Sequence, residues 1–312
     1  MKVLVTGSAS MIGRAICDQL KMKNYEVDEL THNSCDLLRL DEVHSYFNSS
    51  SPDMVIHAAG YNGGIEWNRR YPATIFQKTV QMGLNVLDMC AYFKVSKVLS
   101  IISSCAYPDQ DAEELQEETF WNGLPNQSVE CHGLAKRMLN AYSRQISKEY
   151  DTVAITAVLN NSYGPWDSYH PQKTKVVGGM VKRFVDARDE NLPFVTCWGS
   201  GSPLREFVYC KDAGDLLVKT LEVYSDTSLP LNLSSGSEVS IRELAETTAK
   251  IAGYNGEIRW DDSKPDGQLR KKLNIDRMKE ILFDQNLPQF TSLEQGLKET
   301  VEWYENWKRC TC

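Results

Sequence analysis

Near its start the chain reads Lys2-Val3-Leu4-Val5-Thr6-Gly7, and Ser8-Ala9-Ser10-Met11-Ile12-Gly13 follows at once. The apolar run predicts a buried strand, and the spaced glycines predict a tight turn that opens a helix. Such a turn brings backbone N–H groups and a helix N-terminus together, which suits the pyrophosphate of a dinucleotide. The usual motif has three glycines. Its middle position here is Ser10, a small residue that can itself donate a hydrogen bond to phosphate.

The same alternation of short apolar runs and longer amphipathic segments continues through the first half of the chain. The apolar runs lie near residues 3–6, 25–30, 53–59, 97–103 and 153–159, and the amphipathic segments lie near 11–22, 39–48, 74–94 and 133–149. This pattern predicts strands buried on both faces and joined by right-handed crossover helices. The predicted fold is α/β, a doubly wound parallel Rossmann sheet with a smaller C-terminal α/β substrate-binding region. We place the Rossmann domain at 1–165 and the second region at 166–312, with later segments crossing back.

The composition narrows the possible partners. Hydrophobic residues make up 42% of the chain, and 42 acidic residues against 34 basic ones give a net charge of −8. This acidity predicts no nucleic-acid or anionic-lipid partner, and an anionic substrate would need a local cluster of Arg and Lys. The longest apolar runs are strand-sized, so we predict no membrane span. Nine scattered cysteines predict reduced thiols in a cytoplasmic protein. We predict no metal site.

The end of the second predicted strand bears on which dinucleotide binds. NAD sites place Asp or Glu there, and NADP sites place Arg or Lys nearby. The sequence Leu30-Thr31-His32-Asn33 has neither feature. The missing acid favours NADP, with Arg14 as a candidate partner for its 2′-phosphate, and NAD stays open as the alternative.

Further motifs occur in the same order as in a known family. They are His57-Ala58-Ala59-Gly60, Ser103-Ser104-Cys105-Ala106-Tyr107-Pro108, Asn161-Ser162-Tyr163-Gly164-Pro165, the segments 198–207 and 241–244, and 263–267 with Arg270-Lys271. They resemble the extended short-chain dehydrogenase/reductase family, and most closely its GDP-L-fucose synthase group. That group comprises NADPH-dependent 3,5-epimerase-4-reductases of GDP-4-keto-6-deoxymannose. Residues 198–207 and 264–270 are the more specific segments, because they belong to nucleotide-sugar binding.

The resemblance covers almost the whole chain and implies a homodimer, with 166–312 as the nucleotide-sugar-binding region. Beyond the glycine turn, it implies cofactor contacts from Ala58, Ala59, Gly60, Ile101, Ile102, Ser103, Ser104, Lys136, Leu159, Asn160, Asn161, Ser162 and Lys175. For the GDP-sugar it implies Arg183, Trp198, Arg205, Asp266 and Arg270, with Lys182 nearby. Guanidinium groups suit the oxygens of a diphosphate.

In that family a Ser binds the substrate oxygen, a Tyr protonates it, and a Lys holds the nicotinamide ribose and lowers the pKa of the Tyr. Ser103 and Lys136 match the Ser and the Lys, but His132 stands at the Tyr position. Imidazolium is a competent acid with an unperturbed pKa near 6.5, although Lys136 one turn away would favour the neutral ring. We therefore expect slow catalysis that is favoured at low pH.

Three interpretations of His132 stay open at this point. It is a working acid, or the site has lost or changed its redox step, or a histidine was placed there deliberately to trap a complex. A literal Tyr-x-x-x-Lys does occur at Tyr169–Lys173, but it contains Pro171, which argues against a helix that presents both side chains. We expect that match to be coincidental.

The family inverts C3 and C5 of the sugar with a Cys base and a His acid. Cys105 matches the base, and a thiolate there could remove a proton next to the C4 ketone. The His position is Lys175, with His170 nearby as a substitute acid or a structural residue. These departures favour a 4-reductase without epimerisation, or one inversion instead of two.

The sequence thus predicts NADPH-dependent reduction of a GDP-4-keto-hexose or heptose, with or without 3,5-epimerisation. Two alternatives stay open. One is a GDP-sugar epimerase without net redox chemistry. The other is a catalytically silent protein that binds a nucleotide sugar or NADP.

Overall fold

A computed structural model describes residues 1–110, 112–170, 173–264, 266 and 268–311. Pro171, and the Pro265 and Gly267 of the segment 263–267, lie outside these residues.

The first part of the chain alternates strands and helices as predicted. Its elements are β1 (Lys2–Thr6), α1 (Met11–Met22), β2 (Glu26–Leu30), α2 (Leu40–Ser50), β3 (Met54–His57), α3 (Ile65–Arg70), α4 (Pro72–Tyr92), β4 (Lys97–Ser103), α5 (Glu130–Glu149) and β5 (Val153–Leu159). The predicted strands and long helices agree with these bounds to within a few residues. The short α3 was not predicted.

The remaining elements follow β5. They are β6 (Asn161–Tyr163), α6 (Val176–Asp189), β7 (Phe194–Trp198), β8 (Leu204–Tyr209), α7 (Cys210–Val223), β9 (Leu231–Leu233), β10 (Glu238–Ser240), α8 (Ile241–Ile251), β11 (Glu257–Asp261), β12 (Arg270–Lys271), α9 (Asp276–Phe283) and α10 (Leu293–Thr311). Ser240 caps α8 as expected, because its Oγ accepts a hydrogen bond from the backbone N–H of Glu243 (3.0 Å).

Six parallel strands form the central sheet in the order β2-β1-β3-β4-β5-β9. This arrangement confirms the predicted α/β class and the Rossmann-like sheet. The strand order reverses at β1, since the chain moves from β1 to β2 on one side and then to β3 on the other. The carboxyl ends of β1 and β3 therefore border the crevice in which such sheets bind ligands.

A second layer follows β5. In it β8 pairs with β6, β10 and β12, and β7 pairs with β11. An apolar core formed by α6, α8 and α10 supports these strands, with Phe184, Leu244, Leu297 and Val301 buried. Two later elements return to the first layer, because β9 joins the central sheet and α7 packs on α1. The division at residue 165 stays a prediction.

Candidate active site

The glycine turn lies at the carboxyl end of β1, and its geometry leaves no room for side chains at two positions. Gly7 has φ of +68°, and a Cβ there would lie 2.9 Å from the backbone N of Ala59. A Cβ on Gly13 would lie 2.7 Å from Cα of Ser8. Both glycines are therefore required for α1 to start directly against the end of the strand.

Ser10 has a structural role that the sequence did not reveal. It is the N-cap of α1, and its Oγ accepts a hydrogen bond from the N–H of Gly13 (3.0 Å). Ser8 is buried, and its Oγ has no partner among the described residues. A helix N-terminus, a crowded glycine turn and an unpaired buried hydroxyl together fit the pyrophosphate of a dinucleotide.

The end of β2 offers little to distinguish the two dinucleotides. His32 and Asn33 are exposed there. The guanidinium of Arg14 instead lies 4.0 Å from the ring centroid of Trp166, and its Nε donates to the carbonyl oxygen of Ala9 (3.1 Å). The role of Arg14 at a 2′-phosphate stays a prediction.

Lys136 crosses from α5 to the carboxyl end of β4. It is buried, and its Nζ donates to the carbonyl oxygen of Ile101 (2.8 Å). The same Nζ lies 3.6 Å from the position that a Cβ on Gly60 would occupy, so the structure brings Lys136, Ile101 and Gly60 together. Burial, and then the charge of Lys175, lower the pKa of Lys136 to about 8.

His57 ends β3 beside this lysine. It is fully buried, and its Nδ1 is hydrogen-bonded to Oγ1 of Thr6 (2.9 Å). Burial, with a smaller effect from the charge of Lys136, lowers the pKa of His57 to about 3. The residue is therefore a neutral bridge between the ends of β1 and β3.

His132 lies one turn before Lys136 on α5 and is only 5% exposed. Its Nδ1 is buried without a hydrogen-bond partner in the described part of the chain. Burial, and then the charges of Lys136, Lys175 and Lys271, lower its pKa to about 3. The expected effect of Lys136 on this ring is confirmed. Burial among cations disfavours a second proton on the ring, and the role of His132 as an acid stays a prediction.

Ser103 and Cys105 follow β4 directly. The backbone N–H of Cys105 donates to Oγ of Ser103 (3.3 Å), which starts the short 3₁₀ turn 104–106. Gly133 allows α5 to pack against this turn, because a Cβ there would collide with the carbonyl oxygen of Cys105 and lie 2.8 Å from Pro125. Gly133 therefore allows the start of α5, which carries His132, to pack against the turn that follows Ser103.

Lys175 is the N-cap residue of α6 and is exposed. Its charge lowers the pKa values of His132, Lys136 and Asp167. Burial raises the pKa of Asp167, Lys175 opposes that rise, and Oδ2 of Asp167 has no partner among the described residues. Sequence analysis missed Asp167, since a lone Asp in an irregular segment carries no pattern.

The two ends of the literal Tyr-x-x-x-Lys match have different surroundings, and the absence of a catalytic role for them stays a prediction. Tyr169 is buried against Tyr304, with ring centroids 4.4 Å apart, in the aromatic core beneath α10. Nζ of Lys173 instead lies 4.9 Å from the ring centroid of Trp67. The carbonyl oxygen of His170 accepts hydrogen bonds from the N–H groups of Lys173 and Thr174, both at 2.9 Å.

The other predicted cofactor residues support the ends of the strands. Asn160 accepts hydrogen bonds from Oγ of Ser104 (3.1 Å) and from the N–H of Asn161 (2.9 Å), and its carbonyl oxygen accepts one from Oγ of Ser162 (3.2 Å). Ile102 and Leu159 lie in the main core. Their contacts with a cofactor stay predictions.

The predicted GDP-sugar residues lie in the second layer. Arg205 of β8 donates to the carbonyl oxygen of Gln268 (2.6 Å), and its charge interacts with Cys105. Arg183 donates to the carbonyl oxygen of Thr196 (2.9 Å), and Trp198 is 62% exposed. Asp266 accepts from both N and Oγ of Ser200 (2.8 Å each), so it holds the loop that begins at Gly199.

The two residues of β12 point in different directions. Arg270 is exposed and forms an ion pair with Glu238, with its Nε 2.9 Å from Oε1 of Glu238. The charge of its neighbour Lys271 instead lowers the pKa of His132. In the register of β12 with β8, Lys271 lies opposite Arg205, so the two side chains share a face. Sequence analysis quoted both residues in a motif but named only Arg270 as a substrate contact. Lys182 is also engaged elsewhere, since it pairs with Asp186 (2.7 Å).

Comparison with known proteins agrees with this architecture. Residues 3–232 match the family described as "NAD dependent epimerase/dehydratase family". The chain is 35% identical over 309 residues to a probable GDP-L-fucose synthase 1 of Oryza sativa subsp. japonica, covering 97% of this chain and 92% of that protein. It is 33% identical over 316 residues to the GDP-L-fucose synthase of Escherichia coli (strain K12), covering 97% and 96%. A crystal structure of a GDP-L-fucose synthetase from Naegleria fowleri bound to NADP has a TM-score of 0.91 and 28% identity, covering 98% of this chain and 93% of that one.

Proposed function

The chain belongs to the NAD dependent epimerase/dehydratase family, and we propose that it uses NADPH to reduce a GDP-4-keto-sugar. The observation that carries this proposal is the meeting of two groups at the carboxyl end of β4. Ser103 and Lys136 come from the Rossmann layer, and Arg205 and Lys271 come from the second layer. The first pair suits a carbonyl and a nicotinamide ribose, and the second suits a diphosphate. Similarity to GDP-L-fucose synthases over 97% of the chain supports the GDP-sugar.

The cofactor would lie along the carboxyl ends of β1, β3 and β4. The turn from Gly7 to Gly13 holds the pyrophosphate, and Lys136 holds the nicotinamide ribose beside Gly60. The NADP bound by the similar Naegleria fowleri protein supports NADP as the dinucleotide. When bound, the reduced nicotinamide supplies hydride to C4 of the ketone.

The chain's own groups act on the sugar. Ser103 donates a hydrogen bond to the ketone oxygen, and His132 faces the same region from α5. Cys105 takes the proton next to the carbonyl, and Arg205 of β8 interacts with it. Lys175 returns that proton if the sugar is inverted. Arg183 and Arg205 bind the diphosphate, and the exposed Trp198 stacks on the nucleoside.

The test incubates the protein with NADPH and GDP-4-keto-6-deoxymannose in D₂O. Oxidation of NADPH, with a GDP-deoxyhexose as product, supports the proposal, and Ser103→Ala serves as the site control. Deuterium in recovered substrate without oxidation would indicate an epimerase without net redox chemistry. Binding of both ligands without either signal would indicate a silent binder.

A homodimer formed through α4 and α5 belongs to the same proposal. These helices pack closely, since a Cβ on Gly83 would collide with Leu139. Their outer faces carry Phe76 and Met138, each 37% exposed, above half-buried Val80 and Leu134. Covering this apolar strip with the same strip of a second copy buries it in both. Met138→Glu should convert a dimer into a monomer in sedimentation, whereas Met22→Glu, on exposed α1 surface, should not.

We also propose a cytoplasmic location, which the eight free cysteines of the described residues support. In the described part of the chain, no helix has the length and apolar character that a membrane span needs.

A further inference from the structure

We propose that Glu206 is a positioning residue, which ties the turn that carries Ser103 and Cys105 to the strands that carry Arg205 and Lys271. The inference rests on the proposed reduction of a GDP-4-keto-sugar. It explains how the groups that meet the ketone and the groups that hold the diphosphate keep a fixed separation, although they come from different layers.

Glu206 lies within β8 and is completely buried. A buried carboxyl group is unfavourable unless its oxygens accept hydrogen bonds. Its Oε2 accepts two of them, from Nδ2 of Asn160 (2.5 Å) and from the backbone N–H of Leu273 (2.9 Å). Asn160 follows β5 of the central sheet, whereas Leu273 follows β12 of the second layer. One carboxyl oxygen therefore joins β8 to the end of β5 and to the segment after β12.

Asn160 continues this connection to the reacting turn. Its Oδ1 accepts a hydrogen bond from Oγ of Ser104 (3.1 Å), and both residues are buried. Ser104 stands between Ser103 and Cys105 in the chain and begins the 3₁₀ turn 104–106. The turn that presents both side chains is therefore tied to Glu206 through a single amide group.

Leu273 makes the connection to the cations of the second layer. It lies two residues after Lys271, in a segment whose strand β12 pairs with β8 over only two residues. The hydrogen bond from Leu273 to Glu206 continues this attachment beyond the paired residues. Arg205, which lies opposite Lys271 in the register, directly precedes Glu206 in the chain. The same carboxyl group thus fixes the backbone beside both cations.

This arrangement predicts a specific loss when the carboxyl group of Glu206 is removed. In the proposed function NADPH binds to the Rossmann layer and GDP to the second layer, and each layer has its own apolar core. Each ligand alone should therefore bind as before. The GDP-4-keto-sugar spans both layers, and binding energy from its diphosphate orients the ketone only while the layers are held together. Removal should lower kcat far more than it weakens binding of GDP.

The first test compares Glu206→Ala with Glu206→Gln, which keeps an acceptor oxygen on a side chain of the same length. With NADPH and GDP-4-keto-6-deoxymannose, we expect Glu206→Ala to lower kcat about a hundredfold and Glu206→Gln to lower it less than about tenfold. The affinities of both variants for NADPH alone and for GDP alone should stay within about twofold of the wild type.

Leu297→Ala is the control for this test. It opens a cavity in the apolar core of the second layer, and Leu297 is not part of the hydrogen-bond network. This variant should keep the kcat of the wild type. An equal loss of kcat in Leu297→Ala, or a loss of GDP or NADPH affinity in Glu206→Ala as large as its loss of kcat, would show a purely structural role and overturn the inference.

The second test does not depend on turnover. Hydrogen–deuterium exchange of the unliganded protein is followed by mass spectrometry in peptides that cover residues 103–107 and 270–275. In Glu206→Ala both segments should exchange at least about tenfold faster, and in Glu206→Gln neither should. Asn160→Ala breaks only the link to Ser104, so it should loosen 103–107 alone, and it replaces Glu206→Ala if that variant does not fold.

The exchange pattern also separates this inference from the proposed function. Unchanged exchange of 103–107 in Glu206→Ala or in Asn160→Ala, or faster exchange throughout the chain, would overturn the role of Glu206. Absence of turnover in the wild type would contradict the proposed function instead, and the exchange pattern would still decide whether Glu206 ties the two segments together.

Discussion

At the scale of single residues, the proposed site depends on side chains that several elements bring to the carboxyl end of β4. The sequence predicted Ser103, Cys105, His132 and Lys136, because each occupies a position in a motif. It did not assign a site role to Lys271, although it quoted this residue in a motif. Adjacent strand residues point to opposite faces, so a choice between Arg270 and Lys271 needs the register of β12 with β8. Alternation along a strand predicts that Arg270 and Lys271 point to opposite faces, but it does not predict which of the two faces the site.

Cys105 provides the residue-scale prediction. Cys105→Ser should lower exchange of the sugar C3 and C5 protons with solvent at least about a hundredfold, because a hydroxyl does not replace a thiolate base. NADPH binding should remain. The measurement is deuterium incorporation by mass spectrometry. Cys131→Ser is the matched control, since Cys131 is also half-buried but contacts Asn68 instead (3.5 Å), and equal loss in both variants would contradict the role of Cys105.

At the scale of elements, the start of α1 shows what the motif could and could not reveal. The glycine spacing predicted a strand, a turn and a helix, and all three are present. Ser10 was expected as a phosphate donor, yet its Oγ caps the helix. Short strands such as β9 and β12 were not predicted, because two or three residues carry no periodicity.

Two glycine substitutions should have opposite effects. Gly13→Ala should lower the free energy of unfolding by at least about 2 kcal/mol and abolish dinucleotide binding, because its Cβ would press on the backbone of Ser8. Gly179→Ala, in the first turns of α6, meets only Thr174 at 3.6 Å and should stabilise by about 0.5 kcal/mol. Urea unfolding measures both. Similar effects in the two variants would mean that the tight contact at Gly13 does not matter.

Ser10 can be tested in the same way. Ser10→Ala removes the cap of α1 and should cost about 1 kcal/mol, whereas Ser10→Gly should cost only a few tenths. Ser10→Gly also restores the third glycine of the motif, so its affinity for NADPH should equal or exceed that of the wild type. The measurements are urea unfolding and fluorescence titration. Equal destabilisation by both substitutions would contradict the capping role.

At the scale of the whole molecule, the parallel topology could be predicted, since buried runs alternate with amphipathic helices over the first half. The second layer could not, because its strands pair across long distances in the sequence. An example is β12, which lies beside β8 only through folding. That layer brings Arg205 and Lys271 to Cys105 and His132. The chemistry is therefore a property of two layers, although most of its motifs lie in one.

The buried histidines make the molecule sensitive to acid. His57 and His132 both have pKa values of about 3 in the folded protein, against about 6.5 when unfolded. The unfolded chain therefore binds more protons below pH 6.5, and stability is lost as the pH falls from there toward 3. Each histidine contributes about 2 kcal/mol of this loss between pH 6.5 and pH 5. In urea unfolding, His132→Gln should reduce the loss between pH 7 and pH 5 by that amount, and an unchanged loss would mean that His132 is not buried neutral.

The most direct measurement is the oxidation of NADPH by GDP-4-keto-6-deoxymannose from about pH 5.5 to pH 9.5, a range that covers both imidazole and the Lys136 ammonium. We predict oxidation with a rate that is constant below about pH 7.5. The rate should fall above about pH 8, because Lys136, which holds the nicotinamide ribose, loses its proton there. No oxidation at any pH by protein that binds both NADPH and the GDP-sugar would contradict the proposed reduction.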